Sequence, residues 1–231
     1  MKIVFLGDSI TEGVPGVSYV DIIRNATEDF EIVNRGKGGD TVESLLKRVY
    51  HMSDLNSFDV FVLFVGINDI FGTLTWQYKF LKALKKQTAT KSIVQFEASY
   101  SAILNYLSSF NKKIIVVPPL LLGEEVNSNW NQQVAELVSV IEKVVMENKD
   151  SRFLDIRKVF IDVLKNRDIS SYMPLSILEL GKDVTRLKTA QSVDQKSKER
   201  GLHVTLDGVH INSEGANIIA SNIVKELHKT M

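Results

Sequence analysis

The chain has 231 residues, of which 44% are hydrophobic and 24% are charged, as in an ordinary globular protein. Basic and acidic side chains both number 28, so the formal net charge is zero and gives no reason to expect nucleic acid or an anionic membrane surface as partner. The sequence contains no cysteine, which excludes disulfides, thiolate zinc ligands and a cysteine nucleophile.

The beginning of the chain predicts a cytoplasmic protein. Met1-Lys2 is followed at once by strand-like residues, where a signal peptide would have a longer apolar region and a cleavage site of small residues. No apolar run approaches the roughly 18 residues of a membrane span. A secreted chain trimmed of its export signal would look the same.

Five apolar runs rich in Val, Ile and Phe predict strands that are buried on both faces, because hydrophobic and polar residues do not alternate in them. In chain order they are KIVFLG (2–7), FEIVN (30–34), DVFVLFVG (59–66), KKIIVVPP (112–119) and RFLDI (152–156). Stretches with apolar residues three and four positions apart separate the first four of these runs and follow the fourth, and a further amphipathic helix is predicted over 212–229. This alternation predicts a parallel sheet between two helical layers, a three-layer α/β/α sandwich.

Two segments, residues 70–92 and 166–206, do not follow this alternation. The first carries Phe71, Trp76, Tyr78 and Phe80 among several lysines, and the second is polar with little periodicity. Long connections in a compact domain are usually functional or disordered. We interpret the chain as a single domain, 1–231, with two insertions.

Polar residues that could carry chemistry follow the strands, and the carboxyl ends of parallel strands meet at one edge of a sheet. Ser9 follows the first strand, the glycine-rich NRGKGGDT (34–41) the second and Asn68 the third, while Asp207 and His210 precede the closing helix. Each alone has an ordinary interpretation, Ser9 as a helix cap and the others as turn residues. Their coincidence at one edge favours chemistry.

The residue types match the needs of nucleophilic catalysis. A serine hydroxyl needs a base to remove its proton, and a histidine base needs a carboxylate on its other ring nitrogen. Ser9, His210 and Asp207 supply these three groups. The oxyanion formed by attack on a carbonyl needs donors, which the amides of Ser9 and Gly39 and the side chain of Asn68 would provide.

These motifs, in this order, resemble the four blocks of the GDSL-type (SGNH) hydrolases: GDSITEG for Ser9, NRGKGGDT for Gly39, GIND for Asn68 and DGVHIN for Asp207 and His210. The resemblance implies a flavodoxin-like sheet of five parallel strands in the order 2-1-3-4-5. It also implies hydrolysis of esters or thioesters through an acyl-enzyme, with no metal and no cofactor. Because Lys37 and Gly38 precede Gly39 in the second block, the oxyanion donor is either Gly38 or Gly39.

The sequence predicts the type of reaction more closely than it predicts the substrate. Phe71, Trp76 and Phe80, with Leu120 after the fourth strand, are candidates for an acyl-binding wall or a lid, and ordinary packing explains them equally well. An apolar crevice would favour acyl or lysolipid esters, whereas a polar crevice would favour O-deacetylation of carbohydrates.

Two further hypotheses remain open. A flavodoxin-like module could bind an anion at its glycine turn without turnover, and the aromatic segment 70–92 could join two copies in a homo-oligomer. The expected partner is a small-molecule ester, with no nucleic acid and no stable membrane insertion.

Overall fold

Five parallel strands form one sheet in the order β2-β1-β3-β4-β5, and this confirms the predicted topology. The strands are β1 (Lys2–Gly7), β2 (Glu31–Gly36), β3 (Val60–Phe64), β4 (Lys113–Val117) and β5 (Ser151–Phe153). Each predicted apolar run overlaps one of them. The computed structural model describes residues 1–87, 89–173 and 176–229.

The central strands are buried because helices cover both of their faces. In β1, Ile3, Val4, Phe5 and Leu6 have no exposed surface. Every residue of β3 is also buried, whereas the edge strand β2 is only half-buried. This difference explains why unbroken apolar runs predict the central strands well.

One to three helices connect each strand to the next, and four more follow β5. They are α1 (Ser9–Glu12), α2 (Tyr19–Ala26), α3 (Val42–Tyr50), α4 (Ile67–Phe71), α5 (Trp76–Leu84), α6 (Ile93–Ser108), α7 (Asn129–Met146), α8 (Ile156–Leu164), α9 (Ile177–Arg186), α10 (Ala190–Glu199) and α11 (Ser213–His228). Helix α6 packs between α3 and α7, and these three form one series. Helix α11 packs between α2 and α8, and these three form a second series. The two series are the outer layers of the predicted sandwich.

The segments predicted as insertions contain helices. Residues 70–92 include α5, and 166–206 include α9 and α10; positions 88, 174 and 175 lie outside the described residues. Within the described part of the chain, no helix is both long enough and apolar enough to cross a membrane.

The ends of β1, β2 and β3 are level with one another, which sets the position of the functional loops. Gly7, the last residue of β1, pairs with Gly36 of β2 and with Phe64 of β3. The loops that follow these three strands therefore meet at one edge of the sheet.

Candidate active site

Ser9 is the first residue of α1, directly after β1, and it is not the cap of that helix. The cap is Asp8, whose side chain accepts a hydrogen bond from the backbone N–H of Ile10 at 3.0 Å. The Ser9 hydroxyl is therefore free of a capping role, and its Oγ lies 3.0 Å from Nε2 of His210. A side chain on Gly7 would place its Cβ 2.2 Å from Oγ1 of Thr11, so only glycine permits this tight passage from strand to helix.

Asp207 and His210 lie on the loop before α11. A bridge between Thr205 and Ile211 closes this loop. Asp207 Oδ1 accepts the backbone N–H groups of Val209 and His210 at 3.0 and 2.8 Å. Its Oδ2 lies 2.7 Å from Nδ1 of His210, so the carboxylate orients the imidazole ring toward Ser9.

Burial and charge act in opposite directions on this pair. Burial alone would lower the pKa of His210, but the charge of Asp207 and its hydrogen bond outweigh burial, so the pKa of His210 is raised. For Asp207, burial would raise the pKa, yet the charge and hydrogen bonds of His210 lower it. The site therefore stabilises an imidazolium next to a carboxylate, which is the state formed when His210 accepts a proton.

The side-chain amide of Asn68 is held at its oxygen. It is the second residue of α4, and its Oδ1 accepts a hydrogen bond from Nζ of Lys82 at 2.8 Å. An ammonium group only donates hydrogen bonds, so the amide oxygen must face Lys82 and the NH₂ group must face away. Nδ2 of Asn68 is buried and has no hydrogen-bond partner among the described residues.

The turn after β2 distinguishes the two candidate glycines. The N–H of Gly38 donates to Oε2 of Glu12 at 2.7 Å, so this amide already has an acceptor. Gly39 has a φ of +83°, and its N–H has no acceptor among the described residues. The geometry therefore favours Gly39 as the free donor.

The two aspartates beside these motifs hold loops. Asp8 caps α1, and Asp69 accepts hydrogen bonds from the backbone N–H groups of Val42 and Thr90 at 2.9 and 3.2 Å. Burial raises the pKa of Asp8 to about 6 and that of Asp69 to about 6, although these hydrogen bonds and the charge of Lys82 oppose it. The positive charge of Lys82 therefore acts on both carboxyl groups.

A crevice of about 330 Å³ opens at Ser9 and His210. Asn68 and both glycines lie on its wall, so the structure brings all the predicted catalytic and oxyanion residues together. Its other lining residues are mostly apolar: Val14, Pro15, Phe71, Tyr78, Leu81, Leu180 and Val184. A larger hollow of about 490 Å³ beside Trp130 contains none of the predicted site residues.

Of the residues predicted as an acyl-binding wall or lid, only one lines the crevice. Phe71 lines the crevice, but Trp76 and Phe80 do not, and they are 72% and 61% exposed. These two residues are four positions apart on the outer face of α5, while Tyr78 lies on its inner face. Leu120, three residues after β4, is buried in the core and does not line the crevice.

Among the lining residues that were not predicted from the sequence, three polar ones contact the loops of the site. Lys82 and Gln87, both in the segment 70–92, and Glu12 of α1 contact the glycine turn or Asn68. Lys82 lies four residues after Tyr78, so the sequence places both on one face of a helix. Its partners Asn68 and Gly39 are distant in the chain and could not be inferred. Among the described residues, no group of three or more histidines or carboxylates is placed to hold a metal ion.

The fold and the site together define a class of protein, the serine hydrolases with a parallel α/β sheet. The model of the GDSL-like Lipase/Acylhydrolase family matches residues 5–172, so the chain belongs to this family and is an ester-hydrolysing enzyme. The matched range contains Ser9, Gly39 and Asn68 and ends before Asp207 and His210.

Relatives and solved structures agree with this assignment. An acetylxylan esterase of Geobacillus stearothermophilus is 24% identical over 182 residues, which cover 71% of this chain and 80% of that protein. The crystal structure of an acetyl xylan esterase superposes with a TM-score of 0.68 at 22% identity and covers 98% of this chain and 99% of the other. An alpha/beta hydrolase from the metagenome of Lake Arreo, Spain, has a TM-score of 0.67 at 17% identity, over 97% and 93% of the two chains. These structures share the fold of the present chain.

Proposed function

We propose that the protein is a serine esterase that removes acetyl or other short acyl groups from carbohydrate hydroxyls, through an acyl-enzyme formed on Ser9. The observation that carries the proposal is the continuous chain of contacts from Ser9 Oγ to His210 (3.0 Å) and from His210 to Asp207 (2.7 Å). Such a chain is what activation of a serine hydroxyl requires.

In the proposed first half-reaction, Ser9 Oγ forms a bond to the carbonyl carbon of the ester while its proton passes to Nε2 of His210. Asp207 accepts the Nδ1–H hydrogen bond throughout, and this keeps Nε2 available as the acceptor. The tetrahedral intermediate collapses when the carbon–oxygen bond to the alcohol breaks and His210 returns the proton to the departing alkoxide. The acyl group is then bonded to Ser9.

Water completes the reaction in the same geometry. His210 takes a proton from water as the water oxygen attacks the acyl carbon, and the proton is then given to Ser9 Oγ as the carboxylic acid leaves. In both halves, negative charge develops on the former carbonyl oxygen. The NH₂ of Asn68, which has no partner among the described residues, and the backbone N–H groups of Gly39 and Ser9 are the donors assigned to that charge.

Two observations support a carbohydrate ester as substrate. The curated relative and the first of the superposed structures are both acetylxylan esterases, and the relationship extends over most of the chain. The polar side chains of Glu12, Lys85 and Gln87 also line the crevice, where sugar hydroxyls would need hydrogen-bond partners.

A second candidate substrate is an ester of a longer acyl chain. The apolar residues of the crevice favour it, since Phe71, Leu81 and Leu180 offer cover for methylene groups. Each buried methylene contributes about 0.8 kcal/mol. The lining residues are compatible with either substrate, and both the preferred acyl length and release of acetate from a sugar separate the two candidates.

The test is a series of p-nitrophenyl esters from acetate to octanoate, together with acetate release from a peracetylated pentoside, each measured with the wild type and with Ser9→Ala. We expect kcat/KM to be highest for acetate, with measurable release from the sugar and no turnover by the Ser9 variant. An optimum at six carbons or more, with no release from the sugar, would replace the carbohydrate proposal by the second candidate.

A further inference from the structure

Lys82 is a buried lysine that contacts two parts of the proposed oxyanion site. Only 8% of the side chain is exposed. Its Nζ donates to Oδ1 of Asn68 at 2.8 Å and also to the backbone oxygen of Gly39. One ammonium group thus connects the side-chain donor after β3 to the glycine turn after β2.

Gln87, five residues further along the same segment, contacts the same turn. Its Nε2 donates to the backbone oxygen of Gly38 at 3.0 Å and to Oδ1 of Asp40 at 3.1 Å. The oxygen of Gly38 belongs to the peptide whose N–H is that of Gly39. A hydrogen bond to this oxygen fixes the plane of the peptide and so the direction in which the Gly39 N–H points.

Burying a charge is costly unless it is paired, and Lys82 has acidic neighbours rather than a single ion-pair partner. Burial lowers its pKa to about 8, although the negative charges of Asp8, Asp69 and Asp40 oppose this shift. A lysine retained at such a position needs an explanation beyond packing, because a methionine would fill the same volume without the cost of desolvation.

We propose that Lys82 is a positioning residue for catalysis, whose ammonium holds the Asn68 amide with its NH₂ toward Ser9 and anchors the Gly39 turn. The inference rests on the proposed function, since it concerns the same oxyanion. Without Lys82 the Asn68 amide has no cation to fix which of its two ends faces the crevice. Helix α5, in a segment predicted as an insertion, would then be part of the catalytic machinery.

The proposal is tested with Lys82→Met and, as a matched control, Lys79→Met on the exposed face of the same helix. Both remove one positive charge from α5, and thermal unfolding establishes that each variant is folded. With p-nitrophenyl acetate, we expect Lys82→Met to lower kcat by about 10²-fold, as for loss of one oxyanion donor, with KM unchanged. Lys79→Met should equal the wild type.

Two further readouts separate positioning from general support of the fold. A trifluoromethyl ketone adds to the serine and forms an oxyanion in the same place, so its binding should weaken in proportion to the loss of kcat. Asn68→Ala should also cost much less in the Lys82→Met background than in the wild type, because Lys82 acts through Asn68.

A folded Lys82→Met enzyme with the kcat and ketone affinity of Lys79→Met would overturn the inference, as would effects of Lys82→Met and Asn68→Ala that simply multiply. If Lys82→Met does not fold, Lys82→Leu, which also removes both the charge and the donor, is held to the same outcomes. Ser9→Ala, measured in parallel, distinguishes the two proposals: retained turnover there refutes the proposed function, whereas its loss beside an unaffected Lys82→Met refutes only the role of Lys82.

Discussion

At the scale of the residue, the position of His210 between Ser9 and Asp207 makes activity depend on pH. His210 can accept a proton from Ser9 only when its imidazole is neutral. Its pKa is raised, because the charge of Asp207 outweighs the effect of burial. Activity therefore falls as the pH drops below that pKa and rises as the pH increases through it.

We predict that kcat/KM falls at high pH as Lys82, whose pKa is lowered to about 8, loses its proton, and that at low pH it rises through an ionisation whose midpoint lies above the ordinary histidine value of about 6.5. Asp207→Asn removes the charge that raises this pKa, so its midpoint should move to lower pH. The same variant should lose roughly 10⁴-fold in kcat, since the ring is no longer held in the correct tautomer. The measurement is a pH–rate profile of both enzymes. An unshifted midpoint in Asp207→Asn would mean that the titrating group is not His210.

The sequence could predict that Ser9, Asp207 and His210 lie together, because each stands shortly after a strand or before a helix within a distinctive motif. It could not decide between Gly38 and Gly39, since the answer depends on Glu12 accepting the Gly38 amide across 26 positions. Lys82 could not be predicted for the same reason. Its partners Asn68 and Gly39 are brought to it only by the folded sheet.

At the scale of the element, α5 has two different faces. Tyr78 and Lys82, four residues apart, are buried. The ring of Tyr78 packs against that of Phe71, with the two ring centroids 4.6 Å apart. Trp76 and Phe80 are exposed on the opposite side. The count of aromatics in 70–92 predicts one apolar wall, but the 3.6-residue period of a helix divides them between the crevice and the surface.

We predict that the adjacent substitutions Leu81→Ala and Phe80→Ala have different effects on acyl-chain preference. Leu81 lines the crevice, so its loss should lower the octanoate-to-acetate ratio of kcat/KM, by about 0.8 kcal/mol, or roughly fourfold, for each methylene left uncovered. Phe80→Ala and Trp76→Ala should leave the ratio as in the wild type. The esters of the chain-length series provide the measurement. Equal changes in all three variants would show that α5 affects the fold rather than the acyl pocket.

The strands were predictable and the inserted helices were not, for a physical reason. Strands covered on both faces need unbroken apolar runs, which the sequence displays directly. Helix α9 contributes only Leu180 and Val184 to the crevice and is otherwise largely exposed. Because the helix is largely polar, the sequence did not indicate that these two residues face the site.

At the scale of the whole molecule, the parallel sheet joins residues from opposite ends of the chain. Ser9 and His210 are 201 positions apart in sequence and 3.0 Å apart in the fold. Strand β1 is central in the sheet, and the loop before α11 returns across the edge where β1 ends. The site therefore exists only in the completely folded chain.

The central claim is that Ser9 is the nucleophile of this assembled site. The most direct measurement is titration with a p-nitrophenyl alkylphosphonate, followed by intact mass and peptide mapping. We predict one phosphonyl group per chain, attached to Ser9, with activity lost in proportion to labelling, and no labelling of Ser9→Ala or of the unfolded wild type. Complete turnover of esters by a folded enzyme that remains unlabelled at Ser9, or labelling at another residue in proportion to lost activity, would contradict the account.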